Sequence, residues 1–254
     1  MSVFVAELHK LVSLRAVRWC ALAAVGLTAA LTWLNGRAVR DAYASGDSTS
    51  VAGAEWIGTG ELLIVVAMLA AIGVMSASQE YRGMPADQGG GRQTETSALA
   101  VPSRSRSMAA KLAVLVLLGS AVAMSAAAVA LLVGQAALGD FALPLGAERW
   151  AESARGALYA VLTAVLGAVL TMLLRSGLVP MIYLVANSLV ISVGFLLTQL
   201  TPLAWYLPDT AGMALLRPPD DVHQPSPLVG GVVMLAWIVA FGVAAWWLSK
   251  MRDI

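Results

Sequence analysis

Apolar residues in this chain run in long unbroken blocks and do not alternate with polar ones. Six stretches of eighteen residues or more (19–36, 62–79, 112–139, 156–174, 176–208 and 222–249) contain no Asp, Glu, Lys or Arg. A helix needs about 20 mostly apolar residues to cross the ~30 Å hydrocarbon core of a bilayer, and each stretch holds such a segment. The pattern predicts an all-α membrane protein with six transmembrane helices at about 16–34, 58–78, 111–138, 153–174, 177–199 and 227–248. Only helices or closed barrels satisfy the backbone inside lipid, and runs without a two-residue period exclude a barrel. Trp19 and Trp33 stand near the two ends of the first span and Trp56 ahead of the second, where indole rings favour the interface.

Between the spans the polarity changes abruptly. Ahead of the first span, Phe4, Leu8, Leu11 and Val12 recur at helical spacing, while Glu7, Lys10 and Ser13 fall elsewhere on the helix surface. Residues 2–15 are therefore expected to form an amphipathic interfacial helix. Glu7, the late apolar run and the lack of a small-residue cleavage pattern argue against a signal peptide. Residues 35–56 read as a polar loop, 79–110 as the longest polar segment and 139–152 as a short loop. Only Arg175 and Ser176 separate the fourth span from the fifth, which makes a tight helical hairpin. Residues 200–226 hold five prolines yet stay apolar. They are expected to form dipping helices and turns, with a short helix over Asp209–Leu216 capped by Asp209. Gly119 and Ala123 form a small-xxx-small pair suited to close helix contact.

Composition and charge narrow the picture. The chain is 59% hydrophobic and 12% charged, against about 25% charged in soluble domains. Its 254 residues are mostly spent on spans, so 1–254 is expected to be a single transmembrane domain. Placing the N-terminus inside puts eleven of the sixteen basic residues on that side, and ten of the fifteen acidic residues on the other. Lys and Arg excess in short loops sets orientation, so both termini are expected to be cytoplasmic. A net charge of +1 gives no reason to expect nucleic acid, and the single Cys20 excludes a disulfide framework or a cysteine-built metal site. His9 and His223 fall on opposite sides, and Gly89-Gly90-Gly91 is not followed by the Gly-Lys-Ser/Thr of a phosphate loop. Nothing in the chain reads as an enzyme.

Span centres carry no ionisable group, and Glu61 is expected to be an interfacial carboxylate reaching for water beside Trp56. The milder polar residues, Thr28, Thr32, Ser125, Tyr159, Thr163, Thr171, Tyr183, Asn187, Ser188 and Ser192, either pair across helices or line a weakly polar path. Thr28, Thr32, Tyr183, Asn187 and Ser188 are the candidates for such a path.

The segment 79–110 carries the strongest local signal. Glu80-Tyr81-Arg82-Gly83 follows the second span directly. Ala100-Val101-Pro102-Ser103-Arg104-Ser105-Arg106 and Ala109-Ala110-Lys111 lead into the third. This arrangement resembles the permease subunits of type-2 ABC exporters, particularly the short actinobacterial kind, in which a Glu-Tyr-x-x-Gly motif (two residues before the Gly, where this chain has Arg82 alone) and a Val-Pro-x-Arg stretch hold the same places. Tyr206-Leu207-Pro208-Asp209 is similar to the outer segment of those proteins. The chain departs from the family where Met84-Pro85-Ala86-Asp87 and three glycines follow Gly83.

The resemblance implies that 79–110 is a coupling segment docking onto a separate cytoplasmic ATP-hydrolysing subunit, with Glu80, Tyr81, Arg82, Gly83, Arg104 and Arg106 as contact candidates. It implies two copies of that subunit, which bind the ATP and Mg, and a second permease, the same chain or a related one. It also implies a path between the first, second and fifth spans, in a bacterial plasma membrane. Without a buried charge the expected cargo is lipophilic or amphipathic: a drug, a peptide antibiotic or a lipid-like molecule. A non-transporting membrane anchor, immunity or assembly protein is the alternative.

Overall fold

The computed structural model describes residues 3–46, 53–81, 104–189, 192–217 and 222–251, with the backbone alone at 104 and 105. Every regular element among them is helical. The α-helices are α1 (Val3–Ser13), α2 (Arg15–Ser45), α3 (Leu62–Ser78), α4 (Arg104–Leu138), α5 (Ala147–Leu174), α6 (Leu178–Leu189), α7 (Val193–Thr198), α8 (Pro208–Met213) and α9 (Pro227–Met251). Short 3-10 turns lie at Ala54–Trp56, Gln79–Tyr81, Gly139–Phe141 and Pro202–Tyr206. Helices α2, α3, α4, α5 and α9 are long and apolar enough to cross a membrane. The chain is an all-α membrane protein.

Helices α3 and α5 form the centre of the bundle. Both are buried on most of their surface, and their mutual contact is the most extensive in the fold. Lipid tails are as apolar as leucine, so helices associate in a bilayer through close packing of small residues and not by hydrophobic exclusion. The closest approach is at Gly73, where a Cβ would lie 2.7 Å from the carbonyl carbon of Ala164 and 2.9 Å from its Cα. One turn away, Gly167 faces the carbonyl of Ala70. Gly119, half of the pair singled out in the sequence, has only side chains of Leu69 and Val161 near its missing Cβ, at 3.6 and 3.8 Å.

Helix α2 lies against α4 along one stripe, Ala24, Thr28, Thr32, Gly36 and Val39. Its other faces leave Trp19, Leu22 and Leu34 more than 60% exposed. Helix α1 is a separate element, divided from α2 by the extended Leu14. It docks Phe4, Leu8 and Leu11 on the core and leaves Val12 exposed.

Helices α4 and α5 start earlier than expected, at Arg104 and Ala147 instead of 111 and 153, and three further extents differ. Residues expected as a loop after 34 continue α2 to Ser45, where Gly46 in the left-handed region (φ 77) ends the helix. The second helix begins at Leu62 instead of 58, because Gly58 (φ 90) turns the chain first. The span expected over 177–199 is not one helix. Helix α6 is described as far as Leu189, and α7 starts afresh behind Ser192, whose extended backbone (ψ 116) breaks the helix and whose Oγ accepts from Phe195 N at 3.0 Å. Twelve residues of α6 rise about 18 Å, short of the ~30 Å core.

Candidate functional site

At the α1 end of the bundle, four charged side chains from three helical elements meet. Lys111 lies on α4 with its side chain only 4% exposed. Its ammonium bonds Glu80, on the turn that ends α3, and donates to the Ser76 carbonyl at 3.4 Å. Glu7 of α1 stands 3.9 Å from Lys111, and Lys10 of α1 stands 3.7 Å from Glu80. Two acids and two bases therefore form a neutral cluster, and three of them, Glu7, Lys10 and Lys111, line a void of ≈ 10 Å³, at the limit of what one water needs. The cluster ties α1 and α4 to the foot of α3.

This geometry changes how the expected contact residues read. Glu80 is committed to Lys111 and Lys10 within the chain instead of presenting a free carboxylate. Tyr81 closes the same turn and is half-buried, while Arg106 is exposed on the first turns of α4. Arg82 and Gly83 lie outside the described residues, as does the side chain of Arg104. Lys111 was read in the sequence only as part of a motif, yet it is the hub.

A second polar centre was missed altogether. Asp209, expected to cap its own short helix, is 6% exposed and its carboxylate turns to the α6–α7 break. Its Oδ2 accepts from Ser192 Oγ (2.8 Å), Gly194 N (3.0 Å) and Asn187 Nδ2 (3.1 Å). Asn187 in turn accepts from Val193 N at 2.8 Å. The buried Tyr159 hydroxyl donates to the Asp209 carbonyl at 3.5 Å. Broken helices at membrane depth are tolerated where protein satisfies the freed backbone groups; here Asp209, Asn187 and Ser192 accept from the backbone N–H groups of Gly194, Val193 and Phe195. Asp209→Ala strips three donors of their acceptor, each worth about 1–3 kcal/mol when left buried and unmet. A fall of several degrees in the melting temperature of the purified protein is the expected result, and an unchanged melting curve would remove the cage from the account.

At the opposite end from α1, the turn ahead of α3 is pinned from three sides. Arg149 of α5 donates to the carbonyls of Glu55 and Ile57, the latter at 2.8 Å. Ala54 N donates to the Tyr43 hydroxyl at 3.2 Å. Glu61 accepts from Gly58 N (2.9 Å) and from Asn35 Nδ2 of α2 (3.0 Å). Glu61 is 9% exposed, so it does not reach for water as expected; local donors hold it inside.

The residues expected along a path are not brought together. Thr28 and Thr32 are fully buried on the stripe that faces α4. Ser188 donates back to Leu184 O at 2.7 Å within its own helix, and Asn187 belongs to the Asp209 cage. Tyr183 is 37% exposed, on the surface of α6. Among the described residues no group of three or more His, Cys, Asp or Glu is placed to hold a metal ion. No model of a known protein family matches the chain, and no curated protein matches it.

Proposed function

We propose that this chain is the membrane-spanning permease subunit of a type-2 ABC exporter, driven by a separate ATP-hydrolysing subunit that carries the ATP and Mg. The observation that carries the reading is the junction at the foot of α3 and α4. There the motif that resembles the exporter family, Glu80-Tyr81 on one side and Ala110-Lys111 on the other, closes through an ion pair between the buried Lys111 and the partly buried Glu80. A motor pushing on 79–110 from the cytoplasm would find both flanks of that segment bolted to the bundle and to α1. The push would then move helices as rigid bodies instead of bending a loop. In this reading Glu80 is a positioning residue, and exposed Arg106 is available to the acidic surface of a partner or to lipid phosphate.

Six spans follow if α6 and α7 together complete the crossing, with protein covering the break between them. Both termini are then cytoplasmic in a bacterial plasma membrane, in agreement with the excess of Lys and Arg on that side. The exposed apolar faces of α2 and α9 leave room for a second permease, identical or related, with the cargo path between the two bundles. The cargo is amphipathic or lipid-like.

Two experiments test this. Reporter tags on the two termini are expected to lie on the same side of the membrane. Opposite sides would mean an odd number of crossings and would overturn the topology. Purification of tagged chain from its own host's membranes is expected to bring down an ATPase with a phosphate loop. A chain that purifies without one supports the anchor or immunity reading.

A further inference from the structure

A cleft of ≈ 700 Å³ lies between α2 and α3 at the end away from α1, with Leu31, Asn35, Trp56, Glu61, Ile64 and Arg217 among its walls. That volume falls in the range of about 300–1,000 Å³ typical of small-molecule sites. Its polar groups have an unusual arrangement. The Glu61 carboxylate is nine-tenths buried and receives only neutral donors, Asn35 Nδ2 and Gly58 N. Among the described residues no Lys, Arg or His pairs with it. A carboxylate offers about four lone-pair sites, so two remain open. A buried charge without a counter-ion is costly, and a bound ammonium would offset that cost.

The cation in the same cleft is held apart from that carboxylate. Arg217 sits over the Trp56 ring, its guanidinium carbon 5.3 Å from the centroid. Its positive charge disfavours a simple cationic ligand and attracts an anionic group. Leu31 and Ile64 provide an apolar wall. An ammonium, a nearby anion and an apolar tail are together the chemistry of a zwitterionic amphiphile whose nitrogen still carries N–H donors.

We propose that this cleft binds an amphiphile with a primary ammonium and a phosphate in its headgroup, as in an ethanolamine phospholipid, with the ammonium on Glu61 and the phosphate toward Arg217. The site deepens the exporter reading, on which only the transport of such a molecule rests. Binding is read on the purified chain with no ATPase present, so failure to find a motor would leave this result standing.

The test is native mass spectrometry of the full chain in mild detergent, titrated with three probes: lysophosphatidylethanolamine, lysophosphatidylcholine and water-soluble phosphoethanolamine. The ethanolamine lipid is expected to bind at least about tenfold more tightly than the choline lipid, a difference of 1.4 kcal/mol, because a quaternary nitrogen has no N–H to give Glu61. Phosphoethanolamine, which lacks the chain, is expected to bind too weakly to detect. Glu61→Gln keeps an acceptor for Asn35 and is expected to erase the preference between the two lipids. Ala38 lines the cleft and is exposed, so Ala38→Trp should fill the cleft without disturbing the core. It should abolish binding with Glu61 intact. Equal binding of the two lysolipids to the native chain, a preference that survives Glu61→Gln, binding that survives Ala38→Trp, or tight binding of phosphoethanolamine would each overturn the proposal.

Discussion

Gly73→Leu is expected to leave little folded protein in the membrane. The added Cβ alone would meet the backbone of Ala164, its carbonyl oxygen nearest, then the carbonyl carbon at 2.7 Å and the Cα at 2.9 Å. No rotamer relieves a clash with backbone, so α3 and α5 must separate. Overpacking commonly costs about 1–3 kcal/mol, and here it falls on the most extensive helix contact in the bundle. The separation also loosens the facing pair at Ala70 and Gly167. Against a total stability of about 5–15 kcal/mol, a cost above that usual range removes most of the margin. The measurement is the yield of monodisperse protein by size-exclusion chromatography after membrane extraction. Gly242→Leu on α9 is the control, since nothing lies within 4 Å of its missing Cβ and its yield should match the parent. Normal yield from Gly73→Leu would show that α3 and α5 do not cross there.

The helices were legible because their apolar runs have no alternative in water or in lipid. Their limits were less so, and α2 shows why. Arg37, Arg40 and Asp41 marked a loop by charge, yet the stripe Thr28, Thr32, Gly36, Val39 keeps helical spacing through that region and stays against α4. Spacing was the better signal there. The break in the fifth span had no comparable local cue. Asn187, Ser192 and Gly194 are ordinary residues for a membrane helix until Asp209, fifteen positions beyond Gly194, turns its carboxylate onto them. A long-range carboxylate decides that local structure. The buried charges follow the same logic. Glu61 finds its partner Asn35 26 positions earlier, in what had read as loop, and Lys111 finds Glu80 across 31 positions. Opposite charges flanking one polar segment at the ends of two successive spans were the available hint. Only packing shows that they meet.

That meeting sets up the second large effect. Glu80→Ala leaves the Lys111 ammonium, 4% exposed, with Glu7 at 3.9 Å as its remaining carboxylate. Lys111→Met leaves Glu7 and Glu80 sharing Lys10 alone. Each single change uncovers a charge inside the foot of the bundle, and breaking a buried pair from one side costs about 3–5 kcal/mol. The exchangeable Lys10 and Glu7 contacts place the expected value at the lower end of that range. Removing both charges is a different event, because a neutral pair of similar volume is often as stable as the ions it replaces. Glu80→Gln combined with Lys111→Met is therefore expected to recover most of the lost stability. Hydrogen–deuterium exchange localises the effect: amides of α1 should lose protection in both single variants and regain it in the double. If the pair is a strut between motor and bundle, cargo export in the single variants should fall by about tenfold or more, equivalent to 1.4 kcal/mol, while the partner's ATP hydrolysis continues. The double variant should regain transport along with α1 protection. Full α1 protection and full export in Glu80→Ala would mean that the cluster neither holds α1 nor transmits the motor's push.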